Sequence, residues 1–174
     1  MGKSLFLTVI YVVCSLCYMA AQGLVNVKHY SVKDGMSQNT VQGVLQDNEG
    51  YIWMATWNGL EKFDGYSFKN YKTYPTDKVK LQYNRLVNLQ LGGNQMLVCQ
   101  SYDRRVYLFD IRRECFEDVF AYHPEVKLCT AASKIITLPN GMVWIVGTNG
   151  DLWRIDCFRY KDKGGLVYLP AHSD

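Results

Sequence analysis

Six side chains near predicted turns could together bind a sugar. An aromatic ring can cover the apolar C–H faces of a sugar, while amide and guanidinium groups bind its hydroxyls or a carboxylate. The chain offers these groups at Asn39, Trp57, Asn58, Arg85, Tyr102 and Arg104. The alternative is that Asn39 and Asn58 only shape turns and that Arg104 is a solvated surface charge. Trp57 is the strongest candidate because it lies in a turn whose counterpart further along the chain, "GTNGD", has no aromatic residue.

Patterns that would indicate catalysis or nucleic-acid binding are weak. The three histidines, His29, His123 and His172, lie far apart and have no Cys, Ser or carboxylate at motif spacing. The glycines of "WNGLEKFDG" do not match a phosphate-binding loop, and no metal-ligand pattern is visible. The net charge is only +3, with both signs spread along the chain, so it does not predict nucleic-acid binding. We therefore expect a non-enzymatic chain with no catalytic residue, no metal and no cofactor.

An apolar-Asp pair recurs along the chain at a constant interval. Phe63-Asp64, Phe109-Asp110 and Ile155-Asp156 follow one another at intervals of 46 residues. Before each pair come two apolar segments and two polar turns, such as "QDNEG" and "TWNG", and after it comes an aromatic segment. Equal intervals of this size indicate a repeat, and each unit predicts four short strands.

Four short antiparallel strands in about 46 residues match the size of a β-propeller blade. We predict an all-β, partial β-propeller of about three four-stranded blades, at 37–82, 83–128 and 129–174. An N-terminal closing strand is predicted at 22–36. Trp53 and Trp144 occupy equivalent places on second strands, so we expect them to pack between blades. On this fold the six candidate side chains share one face.

Three blades cannot close a ring, because propellers have about four to eight blades. The sequence therefore favours a fragment of a longer protein, with the remaining blades supplied by the parent. An interrupted reading frame, or ring completion by another chain, stays open as an alternative.

The N-terminus has the plan of a secretory signal peptide, which predicts a periplasmic location. Lys3 precedes an uncharged apolar run from Ser4 to Ala21 that ends in small residues, so the signal is predicted at 1–21. An uncleaved membrane anchor is the alternative.

Four cysteines lie beyond this segment, and their spacing matches no zinc or redox motif, so buried thiols and disulfides both stay open: Cys99, Cys115, Cys129 and Cys157.

Residues 30–72 closely resemble the first repeat of the two-component regulator propellers. Those repeats read roughly D-G-L-S-x-N-x-V, an apolar strand, D-x-x-G-x-I-W-I-G-T and x-x-G-L-x-R-Y-D-G. The matching residues are Asp34, Gly35, Ser37, Asn39, Val41, Asp47, Gly50, Trp53, Thr56, Gly59, Leu60, Phe63, Asp64 and Gly65. The resemblance weakens in the second unit, where Leu97 and Val98 replace the Trp, and returns from Met142 to Asp156.

The resemblance implies the periplasmic sensor half of a hybrid two-component histidine kinase of Bacteroidetes. In that family two propellers and an immunoglobulin-like domain precede a membrane helix, a kinase, a receiver and a DNA-binding domain. It implies an oligosaccharide ligand, a homodimer in the complete receptor, and no nucleic-acid contact by this chain, which carries none of the cytoplasmic domains. The alternatives are an exported propeller enzyme acting on polysaccharide and a structural propeller that binds protein partners.

Overall fold

The chain folds into three separate four-stranded antiparallel sheets, in which spatial order follows chain order. The structure is a computed structural model that describes residues 2–3, 6, 8, 10–11, 27–93 and 95–171. The first sheet contains β1 (Val41–Gln46), β2 (Ile52–Thr56), β3 (Gly59–Phe63) and β4 (Phe68–Tyr71). The second contains β5 (Leu86–Leu91), β6 (Met96–Ser101), β7 (Val106–Asp110) and β8 (Cys115–Glu117). The third contains β9 (Ala132–Thr137), β10 (Met142–Gly147), β11 (Leu152–Asp156) and β12 (Leu166–Leu169).

These sheets confirm the predicted all-β, partial propeller, and they do not close into a ring. One sheet lies within each of the ranges 37–82, 83–128 and 129–174. The predicted signal peptide falls largely on positions outside the described residues and stays a prediction. In the part of the chain that the structure describes, no helix is long and apolar enough to cross a membrane.

The recurring Asp builds the same turn in each sheet. A carboxylate oxygen of Asp64 accepts hydrogen bonds from the backbone N–H groups of Tyr66 and Ser67, at 2.8 and 2.7 Å. Asp110 does the same for two N–H groups of its turn, and Asp156 accepts one from Phe158 at 2.9 Å. The N–H of Ser67 is also the main reason that the pKa of Asp64 lies below its ordinary value. The 46-residue repeat therefore reflects a turn that needs a short side-chain acceptor.

Two apolar interfaces hold the three sheets together. Trp53, fully buried, packs between the first and second sheets, with its ring 5.7 Å from Tyr71 and 5.4 Å from Phe109 between centroids. Its indole N–H donates to Asp47 at 2.7 Å, so the ring is buried without an unpaired donor. Val98 and Ile145 belong to the equivalent core between the second and third sheets. Trp53 thus has the predicted inter-blade role.

Trp144 does not have that role in this structure. It occupies the place of Trp53 in the third sheet, but it lies on the face turned away from the second sheet and is only half-buried. Ile136, its partner on β9, is 40% exposed. Among the described residues no sheet covers this face, so an apolar surface that could pack against a further blade is open to solvent.

The segment predicted as a closing strand has another conformation where the structure describes it. Residues 27–40 contain a 3-10 helix, Val32–Asp34, and no strand. The segment lies on the outer face of the first sheet, where the ring of Tyr30 packs 4.9 Å from that of Phe63 and Ser37 N–H donates to Glu61 at 2.5 Å. A strand needs a partner edge, so ring closure by 22–36 stays a prediction that depends on a last blade; residues 22–26 lie outside the described residues.

The turn between β10 and β11 is fixed by a buried carboxylate. Asp151 accepts hydrogen bonds from Lys127 Nζ at 2.6 Å, Asn149 Nδ2 at 2.8 Å, Tyr168 and the backbone N–H of Ala171. Lys127 contributes most, followed by the Ala171 N–H, and together they hold the pKa of Asp151 well below its ordinary value of 3.8. The charged carboxylate therefore links this turn to Lys127, which precedes the third sheet in the chain, and to Ala171, which follows it.

We expect Asp151 to make folding sensitive to acid. Because its pKa is lower in the folded chain than in the unfolded chain, its contribution to stability is complete above pH 3.8 and is lost as the pH falls through the folded value. Asp151→Asn should lower the free energy of unfolding at neutral pH and reduce its decline on acidification. Urea unfolding between neutral pH and about pH 3 measures both effects. Glu49→Gln, which removes an exposed carboxylate, is the control. If the free energy of unfolding of Asp151→Asn falls on acidification as steeply as that of the unaltered chain, the assignment is contradicted.

Candidate functional site

The three sheets have the same backbone arrangement at one end of their strands, and we call the surface formed there one face of the molecule. In each, the residue after the second strand donates its backbone N–H to the carbonyl of the residue before the first strand. The pairs are Trp57 to Thr40 at 3.4 Å, Tyr102 to Arg85 at 2.8 Å and Thr148 to Ala131 at 3.0 Å. This contact brings the start of the first strand beside the turn between the second and third strands, and it places Trp57, Arg85 and Tyr102 on a shared face.

Three of the predicted side chains converge there, and we call them the Arg85 cluster: Trp57, Arg85 and Tyr102. The guanidinium carbon of Arg85 lies 3.4 Å from the centroid of the Trp57 ring and 4.5 Å from that of the Tyr102 ring. Trp57 is 42% and Tyr102 59% exposed, so both rings also face solvent. The contacts have the distances of cation–π interactions, and they cross from the first sheet to the second.

In the part of the chain that the structure describes, the guanidinium of Arg85 contacts two aromatic rings and has no hydrogen-bond acceptor. Its Nε is buried and has no hydrogen-bond partner. Some other cations of the described residues do have carboxylate partners, such as Lys69 with Glu114 and Lys127 with Asp151. A planar, weakly hydrated cation that stacks on aromatic rings keeps its outer N–H groups available for a carboxylate or a hydroxyl.

The other predicted residues have structural contacts. Asn58 forms the tight turn beside Trp57, where its N–H donates to Thr56 Oγ1 at 3.1 Å and its carbonyl accepts from Asn70 at 2.9 Å. The Asn39 side-chain oxygen accepts the N–H of Val32 at 2.8 Å, so it anchors the N-terminal segment. For Asn39 the structure therefore favours the turn-shaping alternative, while Asn58 remains next to the cluster.

Arg104 is a turn residue that links two sheets. It is exposed and has a left-handed backbone, with φ of 65°. Its N–H donates to the carbonyl of Ser101, and its own carbonyl accepts the N–H of Ala132, both at 2.8 Å. Its backbone thus closes the turn between β6 and β7 and joins the second sheet to the third. The side chain has no described contact with the Arg85 cluster.

Arg104→Gly is expected to stabilise the chain by up to about 1 kcal/mol, because glycine adopts a positive φ without the steric cost of a Cβ atom. Both backbone hydrogen bonds are kept in this variant. Urea unfolding of the two proteins side by side gives the difference. A loss of stability would show that the side chain makes a contact that outweighs the backbone strain.

The Arg85 cluster could be only partly predicted from the sequence. Trp57, Tyr102 and Thr148 lie 45 and 46 positions apart, as do Thr40, Arg85 and Ala131, so the repeat itself signals that Arg85 lies beside the turn of Tyr102. The third sheet contributes Thr148 and Ala131, which have neither a ring nor a charge. The cluster is therefore confined to the first two sheets.

A groove of about 510 Å³ lies at the opposite face, along the turns between first and second strands. Its walls include Leu91, Ile111, Leu138 and Phe158, with Asp47 at one side. The Asp47 carboxylate already accepts from Trp53 and from the N–H groups of its own turn.

Among the described residues no cluster of His, Cys, Asp or Glu could hold a metal ion. Cys99 and Cys129 are buried thiols, and burial raises the pKa of Cys129 to about 11.

Known proteins are similar to this chain by sequence over part of its length and by structure over most of it. No protein-family profile matches the chain. A 54-residue stretch, 31% of this chain, is 41% identical to part of "Histidine kinase P4" of Formosa agariphila, of which it spans 4%. Two crystal structures of the extracellular domain of BT4673 from B. thetaiotaomicron, assigned to a one component or hybrid two component system, match with a TM-score of 0.54.

The two matches to BT4673 have 23% and 22% sequence identity and cover 78% of this chain but 16% of that one. At this identity the structural likeness shows a common fold. The resemblance that the sequence predicts is therefore confirmed at the level of the fold. This chain spans only a small part of the proteins it matches.

Proposed function

We propose that this chain, similar as it is to two-component sensor propellers, forms part of the extracytoplasmic sensor of a two-component receptor and binds an oligosaccharide at the Arg85 cluster. The observation that carries the proposal is the pair of solvent-facing rings, Trp57 and Tyr102, that flank a guanidinium lacking any acceptor in the described residues. Rings of this kind stack on sugars, and the adjacent donors fix the orientation of the ligand. The extracellular domain of BT4673, which shares the fold, supports a periplasmic location.

The partner in this proposal is the rest of the parent receptor. The face of the third sheet that carries Trp144 and Ile136 repeats the surface by which the first sheet packs on the second. A further blade of the parent would cover it as the second sheet covers Trp53. The kinase lies elsewhere in that parent, and in the complete receptor, a homodimer, the ligand acts by favouring one arrangement of the domains.

The charges around the cluster favour binding over glycoside cleavage. A glycosidase needs two carboxyl groups on either side of the sugar, about 5 to 10 Å apart. Asp103, the acid nearest in sequence to Tyr102, accepts from Ser101 Oγ and pairs with Arg105. That carboxylate is therefore committed to the turn, and the described part of the face presents cationic and aromatic groups.

Binding to an array of oligosaccharides, followed by titration of the best glycan, tests the proposal. Trp57→Ala should weaken binding by about tenfold, because the apolar contact of a sugar face with the ring is worth about 1 to 2 kcal/mol. Tyr66→Ala is the matched control, since Tyr66 is 95% exposed in a turn at the opposite face. If Trp57→Ala binds as well as the unaltered chain, the ligand site is elsewhere. If no glycan binds at all, the oligosaccharide proposal is wrong.

A further inference from the structure

We propose that the Arg85 cluster selects sugars that carry a carboxylate over their neutral counterparts. This inference rests on the proposed carbohydrate-binding function and names the class of ligand. It comes from which polar groups of the face are already engaged within the chain and which are left for a ligand.

Several amides of this face that could bind neutral hydroxyls are engaged, although the side chain of Asn58 has no hydrogen bond in the described residues. Asn84 accepts the N–H of Thr73 at 2.8 Å and donates to its carbonyl at 2.9 Å, so both ends of the amide are used. Asn149 donates to Asp151 at 2.8 Å, and the Asn39 oxygen accepts the N–H of Val32. Because a neutral sugar is held by paired donors and acceptors, this face offers it few partners.

The guanidinium of Arg85 is the main donor that remains. In the described residues it has neither a hydrogen bond nor an ion pair, whereas Arg105, at the end of the nearby turn, pairs with Asp103. The rings of Trp57 and Tyr102 lie against the guanidinium and its Nε is buried, so the terminal N–H groups are the ones left for an acceptor. A carboxylate is the acceptor that matches two parallel N–H groups of guanidinium.

The charge around the cluster also favours an anion. The carboxylate in the turn of Tyr102, Asp103, is neutralised by Arg105, and the exposed Arg104 adds a positive charge to the same turn. An approaching carboxylate therefore meets a net positive surface. A sugar ring attached to it can then lie against the exposed parts of Trp57 and Tyr102. One ligand thus uses every free group of the cluster.

The test compares methyl glucuronide with methyl glucoside, which have the same ring and differ in the carboxylate. Each is titrated into the complete chain while the indole N–H signal of Trp57, assigned with Trp57→Phe, is followed by NMR. The glucuronide is expected to bind about tenfold more tightly, the difference that charge-assisted hydrogen bonds give. Raising the salt concentration should narrow this difference.

Arg85→Gln should abolish the preference for the glucuronide, and Arg85→Lys should keep part of it, since lysine keeps the charge without the fork of donors. Arg159→Gln is the matched control, because it removes an exposed positive charge from the turn before β12 and should leave the preference unchanged. Circular dichroism of each variant identifies any that fails to fold, and Arg85→Lys then serves as the folded test.

Four outcomes can be told apart. Tighter binding of the glucuronide that depends on Arg85 supports the inference. Equal binding of both sugars overturns it and leaves the oligosaccharide proposal intact. Inorganic sulfate, titrated alone, distinguishes a third case: if it shifts the Trp57 signal as strongly as the glucuronide does, the cluster binds any anion, and selection of sugars is wrong. No shift with any of the three probes overturns both the inference and the location of the sugar site.

Discussion

Trp53→Ala is expected to lower the free energy of unfolding by about 3 to 5 kcal/mol, the cost of removing a large aromatic side chain from a closed core. Trp53 is fully buried between two sheets, where it contacts Tyr71 and Phe109. The substitution also leaves the Asp47 oxygen at 2.7 Å from Nε1 without its donor.

Trp144→Ala is the matched control, because it makes the same chemical change at the equivalent position of the third sheet. Trp144 is half-buried on a face that no described sheet covers, so its replacement should cost about 1 to 2 kcal/mol. Urea unfolding of both variants gives the comparison. In a longer piece of the parent that adds a further blade, the cost of Trp144→Ala should rise toward that of Trp53→Ala. Equal costs in the present chain would contradict the inter-blade account of Trp53.

The repeat and the turns were predictable from the sequence, because both depend on local chemistry. An Asp recurs every 46 residues from Asp64 onward because a side-chain acceptor closes each turn. This interval, together with the apolar segments and polar turns within it, predicts the four strands of each sheet. The role of Trp53 was predictable because the repeat itself supplies the neighbouring second sheet against which this residue packs.

Features that depend on a covering sheet beyond the three repeats, or on side-chain rotamers, were not predictable. The Trp144 prediction assumed a covering sheet, and the closing-strand prediction assumed a partner edge; residues 27–40 pack instead on the outer face of the first sheet. The stacking of Arg85 on two rings depends on the choice of rotamers at the contact of two sheets. The spacing of Trp57 and Tyr102 places these residues on one face, but it does not give the ring distances.

Gly59→Ala is the second change with a large expected effect, about 3 kcal/mol or more of lost stability, because two costs add. Gly59 has φ of 104°, a conformation that strains a residue with a Cβ atom. That Cβ would also lie 2.4 Å from the carbonyl oxygen of Tyr71, and a backbone atom cannot rotate away. Relief requires β3 and β4 to separate at the place where Tyr71 packs against Trp53.

Gly65→Ala separates the two costs. Gly65 has nearly the same backbone, with φ of 98°, but a Cβ atom there would meet nothing within 4 Å. Its substitution should cost about 1 to 2 kcal/mol, from backbone strain alone. Thermal or urea unfolding of the two variants measures the difference, and equal losses would show that the Tyr71 carbonyl moves freely.

The crowding at Gly59 also connects stability to the Arg85 cluster. Trp57 and Asn58 form the two-residue turn that Gly59 closes, and Thr56 Oγ1 donates to the Gly59 carbonyl at 2.8 Å. If the added methyl group shifts this turn, the Trp57 ring moves relative to Arg85, and the Trp57 indole signal should shift in Gly59→Ala but not in Gly65→Ala. An unshifted signal in a destabilised Gly59→Ala chain would show that the strands absorb the clash and the turn keeps its place.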